Sequence, residues 1–421
     1  MSRKIHLHHL SKIEGHANLT VRIENGKVKQ ASLNVVEGAR FFEAIIRGRK
    51  YDEVSILTSR ICGVCSPIHA ITSIAAVEDA FGVKVTEQTK LLRELLILGG
   101  IIQSHVMHLF FLALPDYKGY SSAISMASDY KSVISKALKL KALGNDLLIA
   151  VGGREVHPFT CMPGGFLRIP DKKELSIVLK RLKDAKKDVL ETAKLFSSLK
   201  YPKFERETQH FALHPEKYGY IEGNIICVGN MCVPAKDYLS HFNERIKVGS
   251  TAKFVTAEGK EYMVGALPRV NLNYDKLSKD AKKFVKWKIP SYSPFLNNAA
   301  QGVELVNSVD RAIEILSKLK LKEERPVKIK PKAGRGIAVT EAPRGLLFHD
   351  YTFDSKGYIT KANIITPTAQ NLRNIELDIR AFLPGILNKS REEVVLGIEK
   401  LIRSYDPCIS CAAHFLKVKW I

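Results

Sequence analysis

Two Cys-x-x-Cys pairs stand near opposite ends of the chain, Cys62-Gly63-Val64-Cys65 and Cys408-Ile409-Ser410-Cys411. The two-residue spacing lets both sulfurs of a pair face one ion from a single turn. If the fold joins the pairs, the ion receives four thiolates, soft donors that suit zinc, iron and nickel and do not suit magnesium or calcium. The simplest outcome is a structural zinc site that staples the two ends of the chain. Three details point instead to a reactive centre. Zinc pairs usually lie about fifteen to twenty residues apart, whereas most of this chain intervenes. Each pair is followed at short range by a histidine, His69 and His414. Each is preceded by a charged residue, Arg60 and Asp406; a centre that moves protons needs such groups around its ligands, and a closed zinc site does not.

The elements that must position these residues are mostly helical. A helix start suits the first pair, because free amides and the helix dipole stabilise thiolates. Residues 4–45 read as strands: Leu19–Ile23 alternates, Asn25-Gly26 is a hairpin turn, and the alternation resumes over Ala31–Val36. From about Asp52 the period becomes helical, with helices predicted over 52–58, 66–81, 88–113, 124–150, 172–198, 303–318 and 392–403. Asp171, with Glu174 three residues on, resembles a capping box. The stretch 201–300 is rich in Pro, Gly and Tyr, with short strands predicted over 224–228 and 252–264, the latter turning at Glu258-Gly259. The stretch 325–370 is strand-like and basic. The fold class expected is α+β, mainly α: a central bundle of long helices with peripheral β-rich segments. It is read as one large domain, 1–421, with an N-terminal β segment (1–50), a helical core (51–200), a mixed α/β excursion (201–300) and a helix plus β segment ending in the second cysteine motif (301–414).

The composition narrows the partners. Lys+Arg number 65 against 43 Asp+Glu, a net charge of +22. The charge is dispersed, as in 172–200, and no nucleic-acid module is present, so no nucleic acid is expected. Acidic partner subunits, or a salty or hot cytoplasm, account for it. Met1-Ser2-Arg3-Lys4 leads into no apolar signal region. The most apolar run, Leu91–Pro115, carries Arg93, Glu94, Gln103, Ser104, His105 and His108, which is costly in lipid and ordinary in a buried helix. A cytoplasmic protein without membrane insertion is expected. Seven cysteines, four of them in the two pairs, fit metal ligands in a reducing compartment. Cys161, Cys227 and Cys232 read as small buried apolar residues.

The Arg60–His69 and Asp406–His414 segments, present together and in order, resemble the two signatures of the large, catalytic subunit of nickel–iron hydrogenases. Lys12-Ile13-Glu14-Gly15-His16, Glu341-Ala342-Pro343-Arg344-Gly345 and Thr366-Pro367-Thr368 agree with it. The chain looks most like the cytosolic bidirectional type, and Leu114–Ser122 is similar to archaeal sulfhydrogenase catalytic subunits.

The resemblance implies reversible heterolytic cleavage of dihydrogen at a nickel–iron centre. Cys62 and Cys408 would be terminal on nickel, and Cys65 and Cys411 would bridge to an iron carrying one carbon monoxide and two cyanides. Cys408 would take the proton and Glu14 would relay it. Arg344 would act electrostatically, since its pKa above about twelve makes it an unusual base. Asp406 and Arg60 would flank the ligands, His69 would support a bridging cysteine, and Thr368 would hydrogen-bond a cyanide. Glu43, His414 and the Ile364 backbone carbonyl would bind a second ion, magnesium or iron. Many respiratory members carry an aspartate where Ser104 stands, so their carboxylate-pinned arginine does not carry over; His105 and His108 read as core packing. A maturation endopeptidase would remove 415–421, and nickel chaperones would load the metal. With no ferredoxin-type cysteine run and no dinucleotide fingerprint in the chain, electrons must leave through an iron–sulfur small subunit. Diaphorase-type flavin and iron–sulfur subunits would carry them to NAD(P), with deazaflavin or ferredoxin/heterodisulfide-reductase acceptors as alternatives. Two other readings stay open. One is a fold relative such as the quinone-binding core subunit of respiratory complex I, although those relatives lose the four cysteines; the other is the zinc-stapled scaffold.

Overall fold

In a computed structural model that describes residues 2–227 and 232–413, the chain opens as an antiparallel meander of β1 (Ser2–Leu7), β2 (Ala17–Glu24) and β3 (Lys27–Val35). Ala17, Leu19, Val21 and Ile23 are buried in alternation, so one face of β2 enters the core. Asn25 and Gly26 both take positive φ, 50° and 72°, the mirror-image turn that suits a hairpin. Strand was expected to residue 45 but stops at Val35. There the chain leaves the sheet for the C-terminal motif: the Arg40 amide donates to the Ala413 carbonyl at 3.1 Å, and Phe42–Ile45 is a single helical turn.

The helical part runs α1 (Val54–Ser59), α2 (Ser66–Phe81), α3 (Glu87–Met107) and α4 (Lys131–Gly152). Three of the long predicted helices are interrupted. The run 88–113 widens after Met107 into a π-turn, His108–Ala113, just before Pro115. Proline has no amide to donate and crowds the preceding turn, and the wider turn accommodates it. The run 124–150 divides into a short turn, Ala123–Met126, and α4. The run 172–198 bends at Ala185, whose ψ is −6°, giving α5 (Lys172–Asp184), capped by Asp171, and α6 (Lys186–Ser197). The bend aims Lys186 at Asp280, 3.2 Å away.

The middle of the chain holds antiparallel pairs β4 (Gln209–His214) with β5 (Asn224–Cys227), and β6 (Phe242–Ile246) with β7 (Lys253–Ala257), followed by α7 (Ala266–Asn273) and α8 (Asn297–Lys318). A three-stranded antiparallel sheet follows: β8 (Gly334–Ala342), β9 (Gly345–Phe353) and β10 (Ile359–Ile365). Strand character was expected to 370, but Pro367 opens α9 (Pro367–Phe382), where its missing amide is harmless. α10 (Arg391–Ser404) starts in a Ser390/Glu393 capping box and leads to the second cysteine pair.

One contiguous apolar core runs from Leu10 to Ala413. α2 lies on β8 and β9, so close at Gly336 that an added Cβ would sit 1.9 Å from the Ala76 carbonyl. The stretch Glu87–Lys118 is long and apolar enough to cross a membrane, yet 83% of its most apolar window is buried inside the protein.

Candidate metal centre

α2 begins at Cys65, whose carbonyl accepts from the Ile68 and His69 amides at 3.1 Å. Cys62 precedes it in the turn after α1, and its sulfur accepts from the Cys65 amide at 3.3 Å. The second pair follows α10, with Cys408 opening the short helix Ile409–Ala412. The pairs converge: all four Sγ atoms are buried and lie within 4.8 Å of one another. Cys408 Sγ is 2.8 Å from Cys411 Sγ and 3.4 Å from Cys62 Sγ. Sulfur hydrogen bonds from Cys408 and Cys411 lower the Cys62 and Cys65 thiols, Cys65 further through Arg344, while burial drives Cys408 and Cys411 up. This donor set fits soft metal ions. Among the described residues no second group of three or more His, Cys, Asp or Glu is placed to hold one.

Two segments hold the pairs together. Arg40 donates from Nη2 to the Ile61 carbonyl at 2.6 Å and to the Ser410 carbonyl, tying the residue before Cys62 to the residue before Cys411. The N-terminal segment docks on the second pair. Ile409 donates its amide to the Glu14 carbonyl at 2.8 Å, and Glu14 Oε2 lies 3.1 Å from Cys408 Sγ and accepts from the Ser410 amide at 2.9 Å. Gly15 makes this approach possible: its φ is +81°, and a Cβ there would lie 2.8 Å from Ile409 Cβ. Arg403 anchors the same segment through the Ser11 carbonyl (2.9 Å) and Asp116 (2.7 Å), and Lys12 also pairs with Asp116. Arg40→Ala is expected to destabilise the chain by about 2–3 kcal/mol through loss of charge-assisted bonds and to speed loss of the metal held by the four sulfurs to a chelator. Denaturant unfolding and timed metal release check it, and unchanged release would show that the loops hold without Arg40.

Arg344 lies over the sulfurs. Its Nη1 is 3.2 Å from Cys65 Sγ and 3.3 Å from Ser104 Oγ, its Nη2 donates to Asp406 Oδ1 at 2.9 Å, and its Nε donates to the Asp406 carbonyl at 2.7 Å. The carboxylate partner missing at Ser104 is therefore supplied by Asp406. Burial alone would lower the Arg344 pKa, but Asp406 and the sulfurs outweigh it and the guanidinium stays charged. Asp406 is held in turn by Gln301, whose Nε2 donates at 2.9 Å. The Arg344 turn is fixed from behind by Arg269, which bonds the carbonyls of Ala342 (3.0 Å) and Pro343 (2.9 Å), Glu341 (2.9 Å) and both oxygens of Glu304 (2.6 and 2.7 Å). Burial would raise Glu304, but Arg269 holds it down at about 2; burial pushes Glu341 up to about 7 despite the same guanidinium.

The other expected residues divide. Thr368 accepts the Cys408 amide at 2.9 Å, which leaves its hydroxyl hydrogen to donate. His69 is buried with Nδ1 3.1 Å from His349 Nε2. His105 and His108 are buried and bonded to Glu304 (2.8 Å) and Gln301 (2.6 Å), so they support the Arg269 and Asp406 groups. Arg60, expected beside the ligands, is exposed at the end of α1, and its side chain makes no hydrogen bond or ion pair among the described residues. Glu14 is half-buried. Glu43 meets Ile364 through the Ile364 amide, which donates at 2.9 Å, and Lys253 occupies both of its oxygens. His414 and 415–421 lie outside the described residues. Cys161 and Cys227 are buried as expected of small apolar residues, whereas Cys232 is exposed.

The family model described as nickel-dependent hydrogenase matches residues 40–143 and 243–414. The chain is 36% identical to the alpha chain of sulfhydrogenase 1 from Pyrococcus furiosus, over 98% of each chain. It is 34% identical to the alpha chain of sulfhydrogenase 2 from the same organism, over 98% of this chain and 100% of that one. Identity to a chain of the F420-non-reducing hydrogenase of Methanothermobacter thermautotrophicus is 30%, over 98% and 94%. In fold it is similar to an NAD+-reducing [NiFe]-hydrogenase crystallised in the H2-reduced state, with a TM-score of 0.89, 24% identity and coverage of 98% and 99%.

Proposed function

This chain belongs to the nickel-dependent hydrogenase family as a catalytic large subunit, and on that premise we propose how its own residues serve the reversible heterolytic cleavage of dihydrogen. The convergence of four buried sulfurs beneath Arg344 carries the proposal. Nickel and iron held there would supply the Lewis acid and electron sink for the cleavage. Cys62 and Cys408 would hold nickel alone, and Cys65 and Cys411 would hold both metals. One carbon monoxide and two cyanides would complete the iron. Thr368 would donate to such a ligand, since its Oγ1 already accepts the Cys408 amide at 2.9 Å and keeps a hydroxyl hydrogen.

Arg344, charged and pinned by Asp406, stabilises charge as it develops and does not act as base. Cys408 Sγ accepts the proton, and Glu14 Oε2, 3.1 Å away and half-buried, takes it toward solvent. The electrons need a partner, because the described residues hold no second cluster of ligands. We assign that role to an iron–sulfur small subunit in a cytoplasmic complex. Flavin and iron–sulfur subunits of diaphorase type would carry the electrons on to NAD(P); a deazaflavin or ferredoxin/heterodisulfide-reductase acceptor is the alternative.

Infrared spectra and metal analysis of the matured complex test this reading. Expected are bands of metal-bound carbon monoxide and cyanide and about one nickel for each set of four thiolates. Zinc alone, with no such bands, would return the chain to the stapled-scaffold reading.

A further inference from the structure

Two buried histidines stand one turn apart where α3 runs into its π-turn, and their hydrogen bonds assign them different charges. His105 has a single bonded nitrogen: Nε2 is 2.8 Å from Glu304 Oε2, and Nδ1 has no partner among the described residues. A hydrogen on Nδ1 would be a buried donor without an acceptor, so His105 is neutral. Burial, which lowers its pKa against the pull of Glu304, agrees.

His108 is bonded at both nitrogens. Nε2 is 2.8 Å from the Arg403 carbonyl oxygen, and Nδ1 is 2.6 Å from Gln301 Oε1, while Gln301 Nε2 donates to Asp406 Oδ2 at 2.9 Å. His108, Gln301 and Asp406 are all buried. The string has three gaps and ends at both sides on an acceptor, so it needs three hydrogens. A neutral imidazole fills one gap and the amide fills another, which leaves one gap without a hydrogen. Turning the amide over does not supply it: Gln301 would then donate to Nδ1 and face Asp406 oxygen to oxygen. The missing hydrogen is therefore the second on His108 or one on the Asp406 carboxyl. Arg344 decides between them. Its Nη2 donates to Asp406 Oδ1 at 2.9 Å, and a guanidinium partner favours the ionised carboxylate. His108 Nε2 is itself 3.9 Å from the same oxygen, an ion pair once the ring is charged. Arg403 offers the ring only its carbonyl, since its guanidinium is taken by Ser11 and Asp116.

We propose that His108 is an imidazolium, and that its second ring hydrogen, given to Gln301 Oε1, keeps the Gln301 amide turned with Nε2 toward Asp406. His108 is then a positioning residue, which reaches the sulfurs only through Gln301, Asp406 and Arg344. Without that hydrogen Nδ1 becomes an acceptor and the amide turns over. Asp406 then meets an oxygen in place of a donor, and the carboxylate that holds Arg344 over Cys65 is loosened. The charged groups that meet this string are Asp406, Arg344 and Arg403, with His105 and its partner Glu304 one turn back. The proton count rests on hydrogen bonds alone; only its bearing on turnover rests on the hydrogenase reading.

Neutron diffraction from crystals of the perdeuterated holoenzyme, with its partner subunits, tests the count. Deuterium is expected on both ring nitrogens of His108, on Nε2 alone of His105 and on neither oxygen of Asp406. Deuterium on only one nitrogen of His108 overturns the proposal, whatever metal the sulfurs hold. A centre without nickel would sink the hydrogenase reading and leave the neutron result standing. Turnover tests the positioning. His108→Gln keeps a donor for the Arg403 carbonyl but carries no charge. It is expected to lose about 10–100-fold at matched nickel content, the usual cost of removing a partner behind the ligands. Wild-type turnover is expected to fall at alkaline pH as the imidazolium gives up its proton, and that limb is expected to be missing from His108→Gln. Wild-type turnover in His108→Gln, or the same alkaline loss in both proteins, overturns the positioning role. Should His108→Gln not fold, the neutron map of the wild type decides alone.

Discussion

Arg344→Lys is expected to keep its nickel and to lose turnover by about 10²–10³-fold, the usual cost of removing one preorganised charge donor at a reaction centre. The geometry gives the reason. The guanidinium reaches four acceptors at once: Cys65 Sγ at 3.2 Å, Ser104 Oγ at 3.3 Å, and the carboxylate and carbonyl of Asp406 at 2.9 and 2.7 Å. A lysine has one nitrogen on a flexible stem and cannot span that set. It would keep the pair with Asp406, so the buried carboxylate is not stranded and the fold survives, but the charge would move off the sulfurs. Arg344→Met is the harsher variant. It leaves Asp406 buried and unpaired, and breaking a buried pair from one side costs about 3–5 kcal/mol. Hydrogen uptake on enzyme of matched nickel content is the measurement. Turnover near wild type in Arg344→Lys would mean that the guanidinium only packs the site.

The chemistry of this site was written locally and its scaffolding was not. The cysteine pairs stand out because two-residue spacing is a short-range pattern, and the same holds for Glu14-Gly15 and for the Glu341–Gly345 turn. Their meeting across 346 positions, as Cys62 and Cys408 do, depends on residues that carry no local signal. Arg40 bridges two loops, Arg269 holds the turn behind Arg344, and Arg403 with Asp116 seats the N-terminal segment. Each is a single charge in an unremarkable stretch, and its value appears only when partners arrive from elsewhere in the chain. Lys253 is the sharpest case: in sequence it begins a short strand, and in space its ammonium meets the Glu43 carboxylate from the other end of the chain. Asp406 stands out for its charge, yet its pairing with Arg344 was hidden, because the position that carries the carboxylate in respiratory relatives is Ser104 on α3. The helices were read well where the apolar period is unbroken, as in 66–81, and badly at Ala185, where a bend keeps the helix-like composition on both sides.

Glu14→Gln separates proton movement from metal binding. The amide has the shape of the carboxylate, can accept from the Ser410 amide as Oε2 does at 2.9 Å, and can stay beside Cys408 Sγ, now 3.1 Å away. The Ile409 amide still has the Glu14 carbonyl at 2.8 Å, so the docking of the N-terminal segment is kept. What the amide cannot do is take a proton and release it. Cys408 is fully buried, whereas Glu14 is half-buried with one side toward solvent, so the carboxylate is the step between a dry sulfur and water. Loss of a positioned acid–base group typically costs about 10²–10⁴-fold. Nickel content and infrared bands should match wild type, while hydrogen oxidation and deuterium–proton exchange fall together by that factor. Glu14→Asp should fall between, because the shorter side chain keeps the titrating group but opens the gap to Cys408. Exchange at the wild-type rate in Glu14→Gln would move the proton exit to another route from Cys408, and the 3.1 Å contact would then serve only to seat the chain.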